Sequence, residues 1–221
     1  MSVPPRDALA SIAERERRLE ALAAPHMAPL AALVASLRER HPDRHVPDAD
    51  PADGGVHARA LLLLEAPGPQ SVATGFVSRD SPNATARNLR ALLSEASIPR
   101  ESVLVWNVVP WYVGDGKRIR AVTPADIDAA FEPLGRVLDA MTSLERIVLV
   151  GRKAQRVEPR LRERFRMRRE TIDIARTWHP SPQVFNISPD RKAEARAAFV
   201  ALGRSLARPS AKARRPARPT E

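Results

Sequence analysis

Three polar residues of the chain each lie at the end of a predicted β-strand. Two of these strands are apolar runs, and in the third Ile172 and Ile174 alternate with polar neighbours. Glu65 comes after four consecutive leucines, Asn107 ends the segment VLVWN, and His179 follows the segment TIDIARTW. Apolar runs of this kind are typical of parallel sheets, whose strands are buried on both faces. Ligands of open parallel sheets bind outside the carboxyl ends of the strands. We therefore expect Glu65, Asn107 and His179 to lie along one sheet edge as candidate functional groups.

The segments between these strands predict helices, and a further strand, RIVLV, spans Arg146–Val150. Thr123 and Ser188 each precede a proline and then an aspartate, a pattern typical of a helix N-terminus. We expect residues 71–83 to form a loop. Repeated strand–helix units predict an α/β fold, namely a three-layer αβα sandwich around a central four-stranded parallel sheet.

The two ends of the chain differ in composition from its middle. Ala8–Arg40 is rich in alanine, leucine and alternating charges, which predicts helices with a break at Pro25–His26. The last residues, RPSAKARRPARPTE, contain nothing to bury and predict disorder. We expect a helical extension and loop at 1–55, one domain at 56–207, and a basic tail at 208–221.

The composition restricts the classes of partner and cofactor. The chain has 36 lysine and arginine residues against 26 acidic residues, which gives a net charge of +10. This charge favours a polyanion such as nucleic acid as the partner. The alternative is that the charge reflects only an arginine-rich composition with basic tails. The chain has no cysteine and no histidines at ligand spacing, so we expect no metal, disulfide or iron–sulfur cluster. Without a signal peptide or a long apolar run, we expect a cytoplasmic protein with no membrane contact.

The three stretches resemble motifs of the uracil-DNA glycosylase superfamily. The segment LEAPG at 64–68 is similar to the GEAPG motif of the iron–sulfur branch, with Leu64 in place of the first glycine. The segment VWNVV around Asn107 resembles the strand that ends in a base-reading asparagine, and HPSP at 179–182 matches the last motif. The resemblance covers roughly residues 61–207, with motif order and spacing kept. The resemblance implies the fold of that superfamily and an enzyme that removes uracil from DNA.

The resemblance also implies a role for each of the three polar residues. Asn107 would donate to uracil O4 and accept from N3–H, and it would reject cytosine, whose groups are reversed. His179 would donate to O2, where negative charge builds as uracil leaves. The classical branch holds the attacking water with an aspartate, but Ala66 occupies that position here. Glu65 is the nearest carboxylate, so it would position the water or, alternatively, hold the loop.

Further positions follow from the same resemblance. Phe76 would stack on the flipped base, and the backbone of Ala66–Gly68 would line its pocket. Gly68 stands where the classical branch has the tyrosine that blocks the thymine methyl, so a wider substrate range is open. The residues that would meet the DNA are Pro110, Ser181 and Pro182 at the backbone, and Gln183, or Phe185, as the wedge that fills the gap left by the flipped base.

The expected activity is that of a monofunctional DNA glycosylase that leaves an abasic site and needs no cofactor. We expect no lyase step, because no lysine accompanies the motifs to form a Schiff base with the sugar. The expected partner is DNA containing uracil or another deaminated base, bound by a monomer. Two alternatives stay open: a module that binds damaged or single-stranded DNA without cleavage, and an enzyme that hydrolyses free nucleosides or nucleotides.

Overall fold

A sheet of four parallel strands forms the middle of the protein. The computed structural model describes residues 7–115 and 119–210. The strands in chain order are β1 (Ala60–Leu64), β2 (Val103–Asn107), β3 (Arg146–Val150) and β4 (Asp173–Thr177), and their order across the sheet is β2-β1-β3-β4. Leu64 at the end of β1 pairs with Asn107 at the end of β2. The carboxyl ends of the strands therefore lie along one edge, as predicted.

Eight α-helices cover the sheet or lie at its edges within the described residues. In chain order they are α1 (Ile12–Ala21), α2 (Ala28–Arg40), α3 (Pro69–Thr74), α4 (Ala84–Glu95), α5 (Pro124–Ala140), α6 (Glu158–Arg168), α7 (Pro182–Ile187) and α8 (Pro189–Leu206). The helix starts predicted at Thr123 and Ser188 are confirmed. Thr123 and Asp126 form a reciprocal capping box, and the Ser188 hydroxyl accepts from the backbone N–H of Arg191 at 3.4 Å.

Alternate residues of β1 belong to two different cores, one on each face of the sheet. Leu61 and Leu63 pack with residues of α2, α5 and α6. Ala60 and Leu62 pack with residues of α4 and α8 and with Phe185 of α7. Because successive side chains of a strand point to opposite faces, each face has its own helical layer. This arrangement confirms the three-layer αβα sandwich.

Helix α2 and the residue before it share the core of the first face. Met27, Leu30, Val34 and Leu37 are at most 1% exposed and belong to the same apolar cluster as Leu61 of the sheet. The segment that was expected as an extension before the domain therefore buries its apolar stripe against the domain itself. The basic tail predicted at 208–221 lies outside the described residues from 211 onward.

The loop expected at residues 71–83 contains regular structure. Pro69 starts the short helix α3, which ends at Gly75 with φ of +80°. Phe76–Val77 then forms a two-residue strand that pairs in parallel with Asp48–Ala49. A strand of two residues is too short to show a periodicity. Its partner strand also lies far away in the sequence, so local patterns could not predict the pair. Along the described part of the chain, no helix is long and apolar enough to cross a bilayer.

Candidate active site

A cavity of about 340 Å³ opens beside the carboxyl ends of β1 and β2. The loop after β1, the first turn of α4 and the start of α7 form its walls. Six of the residues that the sequence analysis singled out line it: Ala66, Gly68, Asn107, His179, Pro182 and Gln183. The structure thus brings residues from all three motifs, which span more than a hundred positions of the chain, to one concave site.

Asn107 is held in place by the backbone of the neighbouring strand end. The backbone N–H of Val108 donates to the carbonyl of Leu64 at 2.8 Å, and the N–H of Val109 donates to the carbonyl of Glu65 at 3.0 Å. Asn107 is only 2% exposed, and its side-chain amide has no hydrogen-bond partner among residues 7–115 and 119–210. A buried amide without a partner that faces a cavity is suited to bind a polar ligand there.

His179 is positioned by contacts on both sides of it. Trp178 donates from Nε1 to Glu194 of α8 at 2.7 Å, and Asn88 of α4 donates to the carbonyl of Pro180 at 2.8 Å. The His179 side chain packs on Gly151, where a Cβ would approach the His179 Cβ to 2.9 Å. A side chain at position 151 would therefore displace the imidazole from the cavity wall.

The ionisation of His179 depends on burial and on Glu65. Burial lowers the pKa of His179, and the negative charge of Glu65 opposes that effect. The net shift is downward, so the imidazole is neutral at neutral pH. A neutral imidazole keeps one N–H, which is a hydrogen-bond donor for an atom in the cavity.

Glu65 lies at the rim rather than in the cavity wall. Its side chain is 34% exposed, and its Oε1 lies 3.5 Å from Nζ of Lys153, whose side chain is 31% exposed. Lys153 follows β3, so it was not recognised as a companion of the motifs. The expectation that no lysine accompanies them is wrong, because β1 and β3 are neighbours in the sheet although 88 positions separate Glu65 from Lys153.

Three predicted contact residues are less accessible than their roles require. Phe76 is fully buried and is not among the residues that line the cavity, so stacking on a base would require its ring to become exposed. Pro110 is also buried, which leaves no surface for the DNA contact predicted for it. Ser181 is 9% exposed and caps the backbone of α7 through its carbonyl oxygen, which accepts from Val184 and Phe185.

The first turn of α4 forms a wall of the cavity that the sequence analysis missed. Ser81, Asn83, Ala84 and Thr85 line it. Asn83 caps the helix by accepting from the N–H of Ala86 at 2.9 Å. The hydroxyl of Ser81 is buried and has no hydrogen-bond partner among the described residues. The segment Ser-Pro-Asn before a helical run is a recognisable N-cap signal, but it does not reveal that the helix end faces the site.

The donor set does not suit a metal centre. Among residues 7–115 and 119–210, no three histidine, aspartate or glutamate side chains are grouped so that they could hold a metal ion. A cluster bound by cysteines does not fit the chain, since the sequence contains no cysteine. The groups that converge on the site are an amide, an imidazole, a carboxylate and an amine.

Comparisons with known proteins identify the family of the chain. The family model of the uracil DNA glycosylase superfamily matches residues 51–203, which include all three motifs. A solution structure of a uracil DNA glycosylase candidate from Methanosarcina acetivorans is 18% identical, with a TM-score of 0.42, and the match covers 66% of this chain and 92% of that one. No curated protein is similar enough in sequence to count as a match. Because the match to the family model spans well over half of this chain, the chain belongs to the uracil DNA glycosylase superfamily.

Proposed function

We propose that the protein is a DNA repair glycosylase that hydrolyses the bond between uracil, or a related deaminated base, and deoxyribose, and leaves an abasic site. The observation that carries the proposal is the buried, unpartnered amide of Asn107 in the same cavity as His179. A base inside a duplex cannot reach such a cavity, so the nucleotide must rotate out of the helix.

Asn107 supports selection of the base. Its amide nitrogen can donate to uracil O4, and its amide oxygen can accept from N3–H. Cytosine presents a donor and an acceptor in the opposite order, which would leave buried polar groups unpaired on both partners. Hypoxanthine and thymine present the same pair of groups as uracil. A Cβ added at Gly68 would meet nothing within 4 Å, so residue 68 leaves room for a larger base.

His179 and Glu65 support the chemical step. As the glycosidic bond breaks, the leaving base gains negative charge on O2 and the sugar gains positive charge. A neutral His179 would donate to O2, a contact that strengthens in the transition state. Glu65 at the rim would position the water that attacks the sugar carbon and would stabilise the cationic sugar by its charge.

The test uses a labelled oligonucleotide with one uracil, presented single-stranded, opposite guanine and opposite adenine, and then treated with alkali to break abasic sites. We expect cleavage by the wild type. His179→Ala should lower the single-turnover rate about 10²–10³-fold, because it removes the donor to the leaving base. Asn107→Ala should lower it strongly as well. His57→Ala is the matched control, since His57 is exposed and precedes β1 at the opposite end of the strand.

The outcomes separate the remaining alternatives. Tight binding of the uracil strand without cleavage would contradict the enzyme and favour a DNA-binding module of the same fold. Release of uracil from free deoxyuridine at a comparable rate would contradict DNA as the substrate. Hypoxanthine and thymine oligonucleotides, tested in parallel, decide how far the open space at Gly68 widens the substrate range.

A further inference from the structure

Lys153 follows β3 at the switch point of the sheet, where strands begin to be added on the other side of β1. The chain runs from β1 to β2 on one side, then returns to place β3 on the other side of β1. The crevice of an open parallel sheet lies at such a switch point. Glu65 follows β1 and Lys153 follows β3, so the two side chains face each other across that crevice at 3.5 Å.

The surroundings of Lys153 connect it to the catalytic groups. Gly151, two residues earlier, adopts φ of +93° and packs against His179. The N–H of Gly151 donates to the carbonyl of Thr177 at 2.9 Å, which joins the turn after β3 to the strand that precedes His179. The turn that carries Lys153 is thus joined to the segment that carries His179, and the Lys153 amine lies beside Glu65.

The proposed function would bring the sugar from which the base is removed close to the Lys153 amine. If Glu65 holds the water that attacks C1′ of the sugar, then C1′ lies within a few ångströms of the Glu65 carboxylate. The Lys153 amine lies 3.5 Å from that carboxylate, and the flexible stem of this partly exposed side chain would let the amine move to the same carbon. Once the base has left, the abasic sugar opens to an aldehyde at C1′, which is the electrophile that a lysine amine attacks.

We propose that the protein has a second activity, an abasic-site lyase in which Lys153 is the nucleophile. The proposal rests on the proposed function, which places C1′ beside Glu65. The ammonium group must lose one proton to the solvent before it can attack, which leaves the Glu65 carboxylate free to act as the base of the elimination step. The prediction of a purely monofunctional glycosylase followed from the apparent lack of a lysine, and Lys153 removes that reason.

The step balances without an oxidant or a reductant. The Lys153 amine adds to C1′ of the aldehyde, and loss of water gives an imine. Removal of a proton from C2′, with Glu65 as the base, forms a double bond between C2′ and C3′ as the C3′–O bond breaks. The 3′ phosphate leaves with the electron pair of that bond. Water then hydrolyses the imine and frees the Lys153 amine together with an unsaturated aldehyde on the 5′ fragment.

The experiment uses the full-length chain and a 5′-labelled duplex that already contains one abasic site. Borohydride reduces an imine to a stable amine, so a covalent protein–DNA adduct reports the intermediate. We expect an adduct with the wild type, and strand cleavage without alkali when borohydride is omitted. Lys153→Arg should lose both signals, because arginine keeps the positive charge but is not an amine nucleophile at neutral pH.

The matched control is Lys192→Arg, which should retain both signals. Lys192 is exposed on α8 and, with Lys153, is one of the two lysines among the described residues. Peptide mass mapping of the reduced adduct should place the added sugar on Lys153. An adduct that maps to another amine, an equal adduct in Lys153→Arg, or no adduct with the wild type would each overturn the lyase proposal.

The design distinguishes failure of the lyase from failure of the glycosylase. Uracil release is measured separately, on uracil DNA with alkali treatment. Release without trapping on abasic DNA would leave the proposed function intact and refute the lyase. Trapping at Lys153 without uracil release would refute the glycosylase and support an enzyme that acts on abasic sites alone.

Discussion

The neutral imidazole of His179 depends on a balance between burial and the charge of Glu65. Burial lowers its pKa because a charged ring loses hydration, and the nearby carboxylate raises it by favouring the charged ring. We therefore expect the His179 pKa in the folded protein to lie below the ordinary value of about 6.5. Glu65→Gln should lower it further. NMR titration of the ring protons would measure both values.

The same shift has a consequence for stability. Above pH 7 the ring is neutral in both the folded and the unfolded chain, so it contributes no pH dependence. As the pH falls through about 6.5, the unfolded chain binds the proton first, and the free energy of unfolding decreases. His179→Asn should remove that part of the loss in acid. A His179 pKa above 6.5, or one that rises in Glu65→Gln, would contradict this account.

Ser81 and Ser78 both line the cavity but differ in their hydrogen bonds, so their variants should differ in stability. The buried Ser81 hydroxyl has no partner among the described residues, whereas the Ser78 hydroxyl donates to the buried Asp50 carboxylate. Ser81→Ala should leave the free energy of unfolding unchanged or raise it by up to about 1 kcal/mol, and it should slow base excision. Ser78→Ala should lower the free energy of unfolding by about 1–3 kcal/mol, because the Asp50 carboxylate loses a hydrogen-bond donor. Urea denaturation measures both, and a destabilised Ser81→Ala would show that its hydroxyl is structural.

Helix α1 is tied to the cavity wall by buried ion pairs. Arg18 is 5% exposed and contacts Asp50 and Asp80, the second at 2.8 Å. Arg100, before β2, contacts both carboxylates, at 2.8 and 2.6 Å. Burial alone would lower the pKa of Arg18, but the two carboxylates raise it above its ordinary range. Asp80 lies between Ser78 and Ser81 in the chain, so this network supports the loop that lines the site.

Removing Arg18 should therefore be far more costly than removing its neighbour. Arg18→Met leaves Asp50 and Asp80 with one fewer cation, and we expect it to lower the free energy of unfolding by roughly 3–5 kcal/mol. Arg17 is 72% exposed and pairs only with Glu14 among the described residues, so Arg17→Met should cost less than about 1 kcal/mol. Urea denaturation of the two variants gives the comparison. Equal losses would show that the buried network contributes little.

Much of the positive charge of the whole molecule is already paired within the chain. Every arginine of α6 faces a carboxylate: Arg160 with Asp128, Arg162 with Glu158, Arg164 and Arg168 with Asp139, and Arg166 with Glu163. A phosphate would have to displace these carboxylates. Arg152 and Arg156, which follow β3, are exposed and have no ion pair with a described residue. They are the better candidates for contacts with the DNA backbone.

The salt dependence of DNA binding tests this assignment. Each phosphate contact adds about one to the slope of log affinity against log salt concentration. Arg152→Gln and Arg156→Gln should each reduce that slope by about one, without changing sequence preference. Arg166→Gln is the matched control and should leave the slope unchanged, because Arg166 already pairs with Glu163 at 2.6 Å. A reduced slope in the control instead would place the DNA on α6.

Local patterns in the sequence were enough to predict the sheet, the sandwich and the edge where the site lies. Strand β2 and the starts of α5 and α8 fall where apolar runs and capping residues predicted them. These features depend on near neighbours, since strand burial and helix caps are decided within a few residues. The positions of Asn107 and His179 at the sheet edge could be predicted for the same reason, because each ends or closely follows such a strand.

Only the tertiary structure decided which side chains face the cavity and which charges remain free. The burial of Phe76 and Pro110, the pairing of Glu65 with Lys153, and the helix end that brings Ser81 to the site join segments far apart in sequence. The Glu65–Lys153 contact exists because β3 lies beside β1 in the sheet, and the sequence near either residue does not predict that strand order. The sequence by itself thus determined the fold class and the position of two candidate site residues at strand ends, while packing between distant segments determined the cavity walls, the ionisation of His179 and the partner of Glu65.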